Sequence, residues 1–116
     1  MLFIPCFNDI ENCKKILNEI DEICNVNFDI LIINDGSSQT LKFKLKNFNI
    51  KVIELRNNFG IGFGVKLALN YALNNNYKKF CRIDSDGEHD PKYIENFFNK
   101  LDDNDFVVGC RKISNQ

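Results

Sequence analysis

Residues 82–91, "RIDSDGEHDP", hold four acidic side chains and the only histidine of the 116-residue chain. An apolar run, "KKFCRI", leads into them. Asp84 and Asp86 are one residue apart, so an extended or turning backbone can aim both carboxylates at one point. Oxygen ligands of this kind suit a hard cation, Mg²⁺ or Mn²⁺, with positions left for water or phosphate. Glu88 or His89 could add a ligand. Such a cation would stabilise a departing phosphate as a Lewis acid. The alternative is an acidic turn that caps the next helix, and Asp90 before Pro91 reads that way. For Asp84 and Asp86 a cation is the better reading, because a charged pair at a strand end gains little from burial unless something compensates it.

Two further segments carry unusual residues. Asp35 lies in "NDGSS", where its carboxylate can accept N–H groups from a base while Gly36 lets the chain turn. A plain Asx turn explains the same residues. "NNFGIGFG" sets Gly60, Gly62 and Gly64 at alternate positions before a helix. Close approach to phosphate or sugar is one reason for that spacing. Helix–sheet packing is the other, and it is the better reading for Gly64. The spacing is neither G-x-G-x-x-G, since Val65 takes the third glycine's place, nor a P-loop. An EF-hand fails because His89 stands where glycine is required. A phosphatase with an Asp nucleophile lacks its Lys and Ser/Thr motifs.

The elements that must position these residues alternate. Strands are expected at 2–7, 28–34, 50–56, 78–83 and 105–110. Helices are expected at 9–24, at 62–75, and after Asp90 with Ile94, Phe97, Phe98 and Leu101 inward. Segment 41–48 reads as strand by alternation and as short helix by position. Ile10, Cys13, Ile16, Leu17, Ile20 and Ile23 recur at helical spacing. The run "FDILIIN" is apolar throughout, as in strands covered on both faces. This order predicts an α/β fold with a mostly parallel sheet and flanking helices. Ligands of such sheets bind beyond the carboxyl ends of the strands, where "CFND", "NDGSS", "RNNFGIG" and "DSDGEH" all fall.

The composition is 44% hydrophobic and 27% charged, with a formal net charge of −1. That excludes a general basic field for nucleic acid. No apolar run approaches the ~20 residues of a membrane span, and the first residues lack signal-peptide features, so a cytoplasmic chain is expected. The five cysteines form no C-x-x-C and read as reduced core thiols.

Together the segments resemble a family 2 inverting glycosyltransferase of the GT-A fold, in the dolichyl-phosphate-mannose-synthase-like and polysaccharide-biosynthesis branches. "IPCFND" resembles the family's I-P-x-[YF]-N-E, and "INDGSSQT" its [DN]-D-G-S-[ST]-D-x-T. "NNFGIGFGVKLALNYA" is similar to N-x-G-I-G-x-[AG]-V-x-x-[GA]-x-x-x-A. "RIDSDGEHDPKYI" is similar to D-x-D-G-Q-H-x-P, and "DFVVGCRK" to the strand ending in G-S-R. The resemblance covers residues 1–116 and implies a single domain, the Rossmann-like nucleotide-binding half of GT-A. It implies a nucleotide-diphospho-sugar donor contacted by Pro5, Asn8, Asp9, Asp35, Gly36, Ser37, Asn58, Gly60 and Asp84. It implies a divalent cation, Mg²⁺ or Mn²⁺, at Asp84, Asp86 and Glu88, and places His89 near the donor. The acceptor would be a polyprenyl phosphate or a glycan. The catalytic base is expected outside this chain, in an acceptor half that these residues do not supply. A second copy at the open sheet edge and peripheral membrane association of the full-length enzyme complete the expected partners. The alternative is a non-catalytic nucleotide-sugar-binding subunit. Asp9, Gln39, Glu88 and Cys110 depart from the family's Glu, Asp, Gln and Ser.

Overall fold

The computed structural model describes residues 1–110. The elements in chain order are strand β1 (Leu2–Cys6), helix α1 (Ile10–Ile23), strands β2 (Ile30–Asp35) and β3 (Ile50–Leu55), helix α2 (Ile61–Asn74) and strand β4 (Cys81–Arg82). A 3₁₀ turn (Pro91–Tyr93) then runs into helix α3 (Ile94–Lys100). The four strands form one sheet, ordered β3-β2-β1-β4, and every neighbouring pair is parallel. This is the α/β architecture that the alternation predicts.

Burial explains why β1 and β2 are apolar at every position. Side chains alternate between sheet faces, and both faces are covered. Leu2, Ile4, Cys6, Ile30 and Ile32 pack with Ile16, Leu17 and Ile20 of α1 and with Ile94 and Phe98 of α3. Phe3, Leu31 and Ile33 face the other way, onto Ala68 and Ala72 of α2. Each fully buried Leu or Ile contributes roughly 1.5–3 kcal/mol over leaving it exposed. The Gly64–Ala68–Ala72 row is the buried stripe of α2, as close packing on the sheet requires. A methyl at Gly64 would meet Phe3 at 3.9 Å, an ordinary contact. Asn76, at φ 61°, ends α2 in a Schellman turn: Tyr77 N–H bonds the Ala72 carbonyl at 3.0 Å and Asn76 N–H that of Leu73 at 3.3 Å.

Three expectations change. Segment 41–48 is neither strand nor helix. Its Leu41 and Phe48 are buried as core contributions from an irregular loop, and that loop hangs on side-chain acceptors. Leu41 N–H bonds Glu54 at 2.7 Å and Asn47 N–H bonds Asp21 at 2.9 Å. The strand expected at 78–83 contracts to Cys81–Arg82. Its ladder to β1 is flanked by the bonds from Met1 ammonium to Lys79 carbonyl, from Cys81 N–H to Met1 carbonyl and from Ile83 N–H to Phe3 carbonyl. Residues 105–110 form no strand. A two-residue β4 offers little edge to pair with, and Phe106 and Val108 stay exposed. Among the described residues, no helix is long and apolar enough to cross a membrane.

Candidate functional site

A cleft of about 330 Å³ lies beyond the carboxyl ends of the strands. It is lined from β1 by Pro5, Cys6 and Phe7, and from β2 by Ile33 and Asp35. Asn58 and Gly60 line it from the β3–α2 connection, Ile61 and Gly64 from the first turn of α2, and Arg82, Asp84, Ser85 and Asp86 from the end of β4. Six sequence-predicted residues therefore meet at one cavity: Pro5, Asp35, Asn58, Gly60, Asp84 and Asp86. Asn8, Asp9, Gly36, Ser37 and Glu88 do not border it, and the structure gives several of them other work.

Asp35 is 8% exposed, and both carboxylate oxygens are engaged. Phe59 N–H donates to Oδ1 at 2.8 Å and Gly60 N–H to Oδ2 at 2.9 Å. The carboxylate thus pins the loop that precedes α2. Gly36 follows at φ 73°, and a β-carbon there would stand 2.4 Å from the backbone of Asn57 and Asn58. No other residue lets these two loops touch. Close packing of the two loops therefore requires this glycine.

Asn8 and Ser37 tie the β1 and β2 ends together. Asn8 has φ 48°. Its N–H donates to Ser37 Oγ at 2.8 Å, and its Oδ1 accepts from Ser38 N–H at 2.9 Å. Ser37 in turn donates to Asn34 Oδ1. Buried Asn34 donates to the Gln39 carbonyl at 2.9 Å and to Glu54 at 2.7 Å. Asp9 begins α1 without capping it through its side chain. Its carboxylate accepts from Asn12 at 2.8 Å, and from Ser85, at the end of β4, at 3.5 Å.

The acidic turn is built differently. Arg82 ends β4 and Asp84 lies two residues beyond, and the guanidinium donates to Asp84 Oδ1 at 2.9 and 3.2 Å. His89 Nδ1 accepts from Asp84 N–H at 2.8 Å. Asp86 Oδ1 accepts from Glu88 N–H at 3.0 Å, an Asx turn completed by Gly87 at φ 84°. Asp90 accepts from Lys92 N–H at 3.0 Å beside Pro91, which confirms its capping role. No group of three or more His, Cys, Asp or Glu side chains is placed to hold a metal among the described residues. Asp84 and Asp86 do border one cavity. Two carboxylates on a wall suit a Mg²⁺-type ion, which keeps waters and substrate phosphates as its remaining ligands.

Arg82, Ser85 and the apolar rim of Phe7 and Ile61 were not singled out from sequence. The i, i+2 spacing of Arg82 and Asp84 at a strand end was the available signal for the first. Phe59 and Phe63, both about half exposed, stack at 4.7 Å beside the same loop.

The glycosyl transferase family 2 model matches residues 1–116. An uncharacterized protein of Methanocaldococcus jannaschii is 30% identical over 94% of this chain and 50% of its own length. An uncharacterized glycosyltransferase of Synechocystis is 26% identical, over 99% of this chain and 38% of its own. Another, of Rickettsia typhi, is 26% identical over 94% and 35%. The chain spans half or less of the length of these curated relatives. With a parallel sheet, a cleft at its carboxyl edge and a family match along its whole length, the chain belongs to glycosyl transferase family 2.

Proposed function

We propose that this chain is the donor-binding part of a metal-dependent, inverting glycosyltransferase that uses a nucleotide-diphospho-sugar in lipid-linked sugar or cell-envelope polysaccharide synthesis. The observation that carries the metal dependence is the charge of the cleft. Asp35, Asp84 and Asp86 face a single guanidinium, Arg82, in its lining. Such a wall repels a diphosphate unless a cation lies between them. Asp84 and Asp86 would hold that cation, with Glu88 beside the turn. Bound there, it supplies charge stabilisation to the diphosphate leaving group.

The chain's own residues do the positioning. Asp35 fixes the Phe59–Gly60 backbone against which the donor would rest. Pro5, Phe7 and Ile61 form the apolar part of the lining, fit for a base or sugar face. Arg82 orients Asp84. Inversion needs an acceptor oxygen in line with the anomeric carbon. A polyprenyl phosphate arrives as an anion and needs no strong base, whereas a glycan hydroxyl needs one.

One observation favours a second reading, donor binding without transfer by these residues alone. Asp35 has both oxygens on backbone N–H groups and Asp84 is paired with Arg82, so neither is placed as a base for an acceptor hydroxyl. A thermal-shift panel of UDP-, GDP- and CDP-sugars, with Mn²⁺ and with a chelator, tests donor binding. A ligand at a hundred times its dissociation constant should add about 2.7 kcal/mol of stability. No shift with any donor would remove both readings. A radiolabelled-sugar assay with polyprenyl phosphate and simple glycans then separates them.

A further inference from the structure

Helix α2 is apolar on both of its sides. The inner stripe, Gly64, Ala68 and Ala72, is buried against the sheet. The outer stripe holds Phe63, Lys66, Leu69 and Leu73, at steps of three and four residues, with uncharged Asn70 among them. Leu73 is 72% exposed, and Phe63 and Leu69 are exposed as well. Phe59 and Ile61, also exposed, carry this surface to the mouth of the cleft. Phe59 stacks on Phe63 at 4.7 Å, and Ile61 lines the cavity. A helix that buries one face normally turns a charged or polar one to water. We propose that the outer face of α2 docks on the surface of an anionic lipid bilayer, with its apolar side chains entering the headgroup region and its cations lying among the lipid phosphates.

Charge selects the occupant. Residues 55–83 contain five basic side chains and no acidic one, in a chain that has 15 basic and 16 acidic residues overall. Two of the five are committed, Lys79 to Asp102 and Arg82 to Asp84. Arg56, Lys66 and Lys78 are exposed and have no acidic partner among the described residues. Lys66 stands within the apolar stripe, Arg56 precedes its aromatic end and Lys78 follows its leucine end. The helices that carry Glu11, Glu19, Asp21, Glu22 and Glu95 cover the other face of the sheet. The acidic turn follows β4, at the opposite edge of the sheet from β3. Cations spread along an apolar stripe ~21 Å long match a surface with phosphates at one level and acyl chains beneath it. Lysine and arginine stems reach the phosphates while leucine and phenylalanine sit deeper.

The docking stands on this surface alone, whereas its use to the reaction rests on the function proposed above. Phe59, Ile61 and Phe63 join the docking face to the cleft rim, so a docked chain holds its cleft at headgroup level. A polyprenyl phosphate presents its phosphate at that level and keeps its hydrocarbon in the bilayer. The donor in the cleft and the lipid acceptor then meet in one plane, with no need to lift the lipid out of the membrane.

The test is co-sedimentation of the whole chain, without donor or metal, with vesicles of phosphatidylcholine alone or mixed with phosphatidylglycerol. The chain should sediment with the mixed vesicles and not with phosphatidylcholine alone, and binding should weaken as salt is raised. Leu73→Glu should lower the partition coefficient about tenfold, and Lys66→Glu at least about fivefold. Ile23→Glu, the same change at an exposed position of α1, should leave it unaltered. A urea melt of each variant checks that it is folded. The chain has no tryptophan, so Phe63→Trp supplies a depth probe. Its emission should shift to the blue on mixed vesicles, and that of Ile23→Trp should not. Absence of binding to the mixed vesicles, or an equal loss with Ile23→Glu, would overturn the proposal. So would a dimer that Leu73→Glu dissolves in the absence of vesicle binding, since the face would then belong to a second copy. Donor binding is read by thermal shift without vesicles, so a failure of the docking and a failure of the donor reading are told apart.

Discussion

Two strand ends place aspartates at the same cleft and use them in opposite ways. At the end of β2, Asp35 is buried and gives both oxygens to backbone N–H groups 24 and 25 residues away. At the end of β4, Asp84 and Asp86 are more exposed and their bonds are local: Arg82, His89 and the Glu88 backbone. A carboxylate that accepts long-range backbone bonds is part of the framework. A carboxylate held only by its own turn keeps lone pairs for something else. The contrast teaches that D-G and D-x-D motifs at strand ends differ in function by where their partners sit in the chain, not by residue type.

Four substitutions sharpen that contrast. Gly36→Ala should have the largest effect. A β-carbon 2.4 Å from two backbone atoms, on a left-handed backbone, should cost about 2–5 kcal/mol in a urea melt. Near-normal stability would mean that the β2 and β3 ends separate freely. Asp35→Ala leaves two part-buried N–H groups without their charged acceptor. It should lower unfolding free energy by about 2–3 kcal/mol. Donor affinity should fall at least about tenfold, with metal dependence retained. If only binding changes, Asp35 is a ligand contact and not a clamp.

Asp86→Ala should do the reverse. Stability should hold within about 0.5 kcal/mol, as for other surface changes. Metal-dependent binding of a nucleoside diphosphate should drop about a hundredfold, ~2.7 kcal/mol, by calorimetry. Wild-type affinity that a chelator still abolishes would move the cation elsewhere. Arg82→Ala should be the smallest. Its pair with Asp84 is about a third exposed on each side, so roughly 0.2–1 kcal/mol of stability is at stake. A larger loss would bring the acidic turn into the framework after all.

The fold was legible where burial acts on every residue. The unbroken apolar runs of β1 and β2 follow from cover on both faces, and the helical spacing of α1 from its single buried stripe. The acidic cluster was legible because carboxylates need compensation wherever they gather. Less legible were the partners of polar side chains. Nothing local distinguishes Asp35 as a clamp, since its donors come from a loop two dozen residues on. The bonds of Asn8 and Ser37 were hidden for the same reason, since they cross between loops. The alternation of 41–48 predicted a strand, but Glu54 and Asp21 supply its backbone acceptors in place of a neighbouring strand. Residues 105–110 have strand composition and no adequate edge to join.

The sheet order also fixes when the cleft comes into being during folding. β1, β2 and β3 lie side by side through full-length ladders, while β4 joins β1 through two residues. Its flanking bond from the Met1 ammonium to Lys79 closes a separation of 78 positions. Contacts of such span carry the greatest loop-closure entropy and form late. The acidic turn is therefore expected to be the last wall to arrive, and the first to leave in partial unfolding. In native-state hydrogen exchange, the amides of Cys81 and Ile83 should open at lower free energy than that of Ile32. The molecule would then lose its Asp84–Asp86 wall while a three-stranded remnant keeps the Asp35 clamp.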